Sequence, residues 1–125
     1  MPAIRIWLPL IVALLLNATA NVMLKVGSKA AKPLGAEASF AEKFFNFLNP
    51  ITIVAIGLFA ANIIAYRKAL DGLSISVAYP IMVSSGLVLV TLAAAMLPVL
   101  NERISLVQIA GMALIGIGVW MVTAG

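Results

Sequence analysis

Apolar residues run along this chain in four long blocks, at residues 6–25, 50–70, 75–98 and 105–123, and the polar residues collect between them. About 20 residues rising 1.5 Å each cross a hydrocarbon core of about 30 Å, so each block predicts a transmembrane helix. Four such helices use most of the 125 residues. The expected fold is all-α and integral to the membrane: one small four-helix bundle over residues 1–125, with no room for a second domain.

The gaps carry their own signals. "KVGSKAAKPLGAEAS" after the first block is small and polar, with Pro33 and Gly35, and predicts an irregular loop. In "FAEKFFNFLN", Phe40, Phe44, Phe47 and Leu48 recur at helical spacing while Glu42, Lys43 and Asn46 point elsewhere. Residues 40–48 therefore read as a short helix on the membrane surface, or as a backward extension of the second span. Asn49 before Pro50 suits the cap and first position of the second helix, which ends in Tyr66-Arg67-Lys68. Pro80, Ser84, Ser85 and Gly86 weaken backbone hydrogen bonding in the third span and predict a bend or local unwinding, a hinge at Pro80, Ser85 and Gly86. Pro98 closes that span, and Ser105 with Gln108 offers a capping box for the fourth, so the last two helices form a tight antiparallel hairpin.

Inside the first block the polar residues form a stripe. At 100° per residue Asn17, Asn21 and Lys25 share one helix face, whereas Thr19 points away and can bond back to its own helix. In hydrocarbon such a stripe must face protein or a lined cavity. It glues helices together or it binds something. Lys25 either snorkels to the interface or meets an anionic group such as a phosphate. Tyr79, Met82 or Val83, and Gly86 lie on successive turns of the third span as a second wall, with Ser84 beside them, and Tyr66 and Arg67 mark the far end of the second. Gly111 and Gly118, seven residues apart with Gly116 nearby, give the fourth span a small-residue face for close helix pairing.

Composition narrows the chemistry. The chain is 64% hydrophobic and 10% charged, with a mean hydropathy of +1.18, far from the balance of a soluble domain. Its charge of +4 and pI near 9.9 come from Lys and Arg at span ends, where they anchor helices, so no nucleic-acid partner is implied. There is no His and no Cys, which removes imidazole bases, thiol nucleophiles, disulfides and the usual metal sites. No enzyme activity, cofactor or metal is expected. Glu37, Glu42, Asp71 and Glu102 all fall between the spans, so the membrane interior lacks the carboxylate that proton-coupled exchange normally uses.

Two processing signals are expected to be silent. Arg5, an apolar run and Ala18-Thr19-Ala20 mimic a signal peptide, but the apolar pattern continues to Val26, so the segment reads as a retained helix. The sequon Asn17-Ala18-Thr19 lies within a span and is no glycosylation acceptor. Arg5, Arg67 and Lys68 fall on one side of the membrane; Lys25, Lys29, Lys32, Lys43 and Arg103 fall on the other. That bias weakly places the first connection in the cytoplasm, and it is small enough to allow insertion in both orientations.

With "VMLKVGS", "RKALDGLSISVAYPIMVSSG" and "ERISLVQIAGMALIGIGVWMV" in hand, the chain resembles the small multidrug resistance family and its wider drug/metabolite transporter (EamA-like) relatives. That resemblance implies paired four-helix subunits in a bacterial inner membrane, often antiparallel, around a chamber lined by the first three helices. It makes Tyr79 a chamber residue and Gly111 and Gly118 dimer contacts. Asn17 stands where the drug exporters carry their membrane glutamate, and Met82 where they carry a chamber tryptophan. The chain more closely resembles the short subunits that flip aminoarabinose linked to undecaprenyl phosphate, which lack the glutamate and share the turn seen here as Ala78-Tyr79-Pro80.

The resulting expectation is a membrane flippase for a polyprenyl-phosphate-linked sugar or similar anionic amphiphile, with Asn17, Asn21, Lys25, Tyr66, Arg67, Tyr79, Met82 and Ser84 toward the substrate. Its partner would be a second copy or a related short subunit. The alternatives are an exporter of cationic drugs or metabolites, and a non-transporting subunit that scaffolds a glycosyltransferase, the latter suggested by the long Phe-rich connection.

Overall fold

The computed structural model describes residues 2–98 and 100–125. It contains α1 (Pro2–Ala30), α2 (Phe40–Phe47), α3 (Pro50–Ala69), α4 (Ile75–Met96) and α5 (Leu106–Ala124). Four of these, all but α2, are long and apolar enough to cross a membrane, the pattern of a multi-pass membrane protein. The short helix is separate from the span after it, because Leu48 and Asn49 break the run.

Local chemistry sets the helix starts. Asn49 Oδ1 accepts from the Thr52 amide at 3.0 Å and Pro50 follows at the first helical position. Ser39 Oγ accepts from the Glu42 amide at 3.2 Å. The capping box of α5 forms in both directions, Gln108 N–H to Ser105 Oγ at 3.1 Å and Ser105 N–H to Gln108 Oε1 at 2.8 Å.

Packing then corrects two expectations. The first helix does not end near Lys25 but continues to Ala30, through residues whose sequence reads as loop. The reason is tertiary: Gly27 is buried against α3, and a Cβ there would stand 2.5 Å from Thr52 Oγ1 and 3.1 Å from its amide nitrogen. Asn49 Nδ2 also donates to the Gly27 carbonyl at 2.9 Å, which ties the end of α1 to the start of α3. The second correction concerns unwinding in the third span: α4 is helical without interruption from Ile75 to Met96. The carbonyl that Pro80 deprives of an amide is that of Ser76, in the exposed first turn, where water can serve it.

The core is narrow and built from small side chains. Leu10, Ala13, Ala69, Ala78 and Met82 are buried together, with Tyr66, Leu70, Leu73 and Ile81 against them. Alanine at the contact lets helix backbones approach closely where lipid gives no hydrophobic drive for association. α1 packs mainly on α3 and also on α4, whereas α5 rests on α4 and buries none of its residues. Lys29 Nζ, near the end of α1, donates to the Leu100 carbonyl at 3.4 Å in the α4–α5 turn. That turn closes with Asn101 at φ +42°, a left-handed conformation that asparagine tolerates.

Candidate functional site in the membrane interior

Asn17 and Asn21 lie one turn apart on α1, and Asn21 Nδ2 donates to the Asn17 carbonyl at 2.8 Å and to Asn17 Oδ1 at 3.3 Å. Thr19 turns away and donates to the Leu15 carbonyl at 2.8 Å, as its position on the helix requires. The Asn17 amide reaches α4 at Gly86, where a Cβ would stand 3.0 Å from Nδ2. The two asparagines and Val83, Gly86, Val90 and Thr91 of α4 line a cleft of about 340 Å³.

Asn62, which nothing in the sequence had marked, lies at the same level on α3. Gly27 faces Thr52, and Leu10 clusters with Ala69, an antiparallel register of α1 and α3 that puts Asn62 level with Asn17. Asn62 Oδ1 and the Tyr66 hydroxyl, one turn further, are enclosed and have no hydrogen-bond partner among the described residues. A buried polar group left so costs about 1–3 kcal/mol. Two of them amount to a sizeable share of a helical bundle's stability, so they mark a place fitted to receive hydrogen bonds. Much of the Tyr79 ring on α4 is exposed.

The other residues singled out from the sequence separate into different places. Met82 is 7% exposed and part of the core, so within one subunit it packs against α1 and α3. Ser84 Oγ bonds to the Ile81 carbonyl at 3.3 Å. With Ser85 it lines a second cleft of about 390 Å³ that includes Leu14, Val88, Met112 and Gly116, not the one beside Asn17. Lys25 is exposed on α1. Arg67 pairs with Asp71 at the opposite end of the bundle, both well exposed. Gly111 and Gly118 lie on α5 with open space where a Cβ would project. Among the described residues no group of His, Cys, Asp or Glu could hold a metal.

The chemistry available in the interior is therefore uncharged: amides on α1 and α3, a phenol on α3, and a hydroxyl at Thr91. Such groups recognise hydroxyls and amides, and they neither titrate near neutral pH nor balance a buried charge.

No protein-family model matches the chain, and no solved structure matches it significantly. It is 31% identical over 105 residues to an uncharacterized protein, y4nH, of Sinorhizobium fredii (strain NGR234), an alignment covering 84% of this chain and 83% of that one. By that likeness, spanning nearly the whole of both proteins, the chain belongs to the same family as y4nH.

Proposed function

We propose that the protein is a membrane transporter of the flippase kind, which moves a polyprenyl-phosphate-linked sugar or similar anionic amphiphile across a bacterial inner membrane. The observation that carries this reading is the uncharged polar set at mid-span: Asn17 and Asn21 line the α1–α4 cleft, and on α3 an enclosed Asn62 oxygen level with Asn17, and the Tyr66 hydroxyl one turn on, have no partner among the described residues. Sugar hydroxyls both donate and accept, and amides and phenols match them without the desolvation penalty of a buried charge. The cleft between α1 and α4 is mostly apolar around its two amides, so a lipid tail can stay in the bilayer while the head group passes. Lys25 and Lys68, exposed toward opposite ends of the bundle, would meet the phosphate before and after transit.

Alternating access in this reading comes from rocking of paired subunits against each other. α5 would supply the dimer contact through Gly111 and Gly118, with a second copy or a related short subunit as partner, and α4 would pivot between Pro80 and Gly86. No span carries a carboxylate, so the scheme uses no proton bound at mid-membrane.

The test is reconstitution into vesicles carrying a fluorescent polyprenyl-phosphate sugar analogue in both leaflets, followed by quenching from outside. Complete quenching with protein, against half with empty vesicles, is the expected result. Asn17→Leu and Asn62→Leu should each slow the exchange at least tenfold, and Lys25→Ala should slow it as well. Half-quenching with the wild-type protein would overturn the reading. Resistance to quaternary ammonium compounds in overproducing cells would replace it with drug export.

A further inference from the structure

A third cleft lies at the edge of the bundle, where α1 ends and α3 begins, and α2 forms its outer wall. Its volume is about 300 Å³. Leu24, Ala31 and Phe47 give it an apolar side, and Ser28, Lys43 and Asn46 a polar one.

The placement of α2 is not accidental. Asn46 Nδ2 donates to the Lys32 carbonyl at 2.7 Å and Asn46 Oδ1 accepts from the Lys32 amide at 3.0 Å, so one side chain clasps the connection to the helix. The face of α2 bearing Lys43, Asn46 and Phe47 is thereby held toward α1. Phe40, Phe44 and Phe45, at 84%, 47% and 72% exposure, lie outside the cleft lining, and Phe47, which lines it, is itself 57% exposed. A helix between the end of one span and the start of the next lies at the membrane boundary, and exposed phenylalanines there enter the acyl region. The cleft thus has its apolar side at the depth of lipid chains and its ammonium at the depth of head groups. Among the described residues Lys43 has no ion-pair partner. This end of the bundle also carries Lys25, Lys29, Lys32 and Arg103 against Glu37, Glu42 and Glu102, a positive balance that attracts anionic lipid.

We infer that this cleft is a resident site for an anionic phospholipid, with the phosphate head group on Lys43 and Ser28 and the upper acyl chain along Leu24, Ala31 and Phe47. The site stands apart from the mid-span polar level and does not depend on the transport reading.

The experiment titrates the detergent-purified full chain with short-chain phosphatidylglycerol or phosphatidylcholine and follows the thermal unfolding midpoint. Phosphatidylglycerol is expected to raise the midpoint saturably and phosphatidylcholine to do so only weakly. Lys43→Ala should shift the half-saturating concentration at least fivefold upward, Lys43→Arg should keep it, and Ala31→Leu, which fills the cleft, should abolish the effect. Lys32→Ala, which removes a cation outside the lining, should leave it within twofold. Equal losses in Lys32→Ala and Lys43→Ala would overturn the site in favour of diffuse surface charge. An equal midpoint shift with inorganic phosphate alone would overturn the lipid assignment, and no shift with phosphate supports it.

Discussion

Asn17 of α1 presses its amide against Gly86 of α4, so close that a Cβ on residue 86 would stand 3.0 Å from Nδ2. The contact joins the polar stripe to the one buried glycine of the facing helix, and it fixes how near α4 comes to the asparagines.

Gly86→Ala should change stability by less than about 1 kcal/mol, because alanine's gain in helix propensity of about 1 kcal/mol offsets the displacement of a side-chain amide. Gly86→Leu should fold but fill the cleft and lower vesicle transport at least tenfold. Undiminished transport by the leucine variant would remove this cleft from the pathway.

Gly27→Ala faces a harder neighbour. Its Cβ would collide with Thr52 Oγ1 at 2.5 Å, which predicts a loss of about 2–3 kcal/mol. Adding Thr52→Ala removes the nearer atom and should restore part of that loss, a coupling that thermal unfolding of the four proteins in a double-mutant cycle would measure.

Asn49 serves two helices at once, capping α3 and binding the last turn of α1. Asn49→Ala should destabilise by about 1–3 kcal/mol. Asn49→Asp keeps the acceptor and loses the donor, and should fall between the two in unfolding midpoint.

Tyr66→Phe and Asn62→Leu separate stability from function. Each removes a buried polar atom without a partner, so stability should hold or rise by about 1–2 kcal/mol, while transport of a sugar-bearing lipid should fall. Loss of stability in both variants would show that the two groups serve the fold.

Asn17→Glu would place a titratable group in the interior. Burial raises a carboxyl's pKa in the folded state, so the variant should be as stable as wild type at low pH and lose stability as pH rises through that raised pKa. Unfolding midpoints across a pH series would check the sign. The wild type, with no carboxylate in any span, should lack that fall.

What could be read from the sequence was what neighbouring residues decide. The Asn49 cap and the Ser105 to Gln108 box each act within one turn, and the stripe of Asn17 and Asn21 follows from helix geometry alone. What escaped depended on other helices. The continuation of α1 to Ala30 rests on Gly27 meeting Thr52, a contact between distant parts of the chain that overrides the polar sequence. Ser84 stands two residues before Gly86, which is about 200° of rotation along a helix, so it faces the α4–α5 side and not the cleft of Asn17. Asn62 was a lone amide in an apolar run. Its one available signal was Tyr66 at helical spacing, and only the register with α1 gave it meaning.

The paired bonds from Asn46 to the backbone of Lys32 also make the intervening segment dispensable in shape. Because that clasp and the Ser39 cap fix where α2 sits, the exposed tip around Gly35 holds only a local turn, the Ala38 amide donating to the Gly35 carbonyl at 3.1 Å, and a Cβ on Gly35 would meet nothing. A short epitope or protease site spliced in between Gly35 and Ala36 would ride on the surface without moving a span. The molecule thereby offers its own reporter position, one that reads which face of the membrane the first connection occupies and whether every copy agrees.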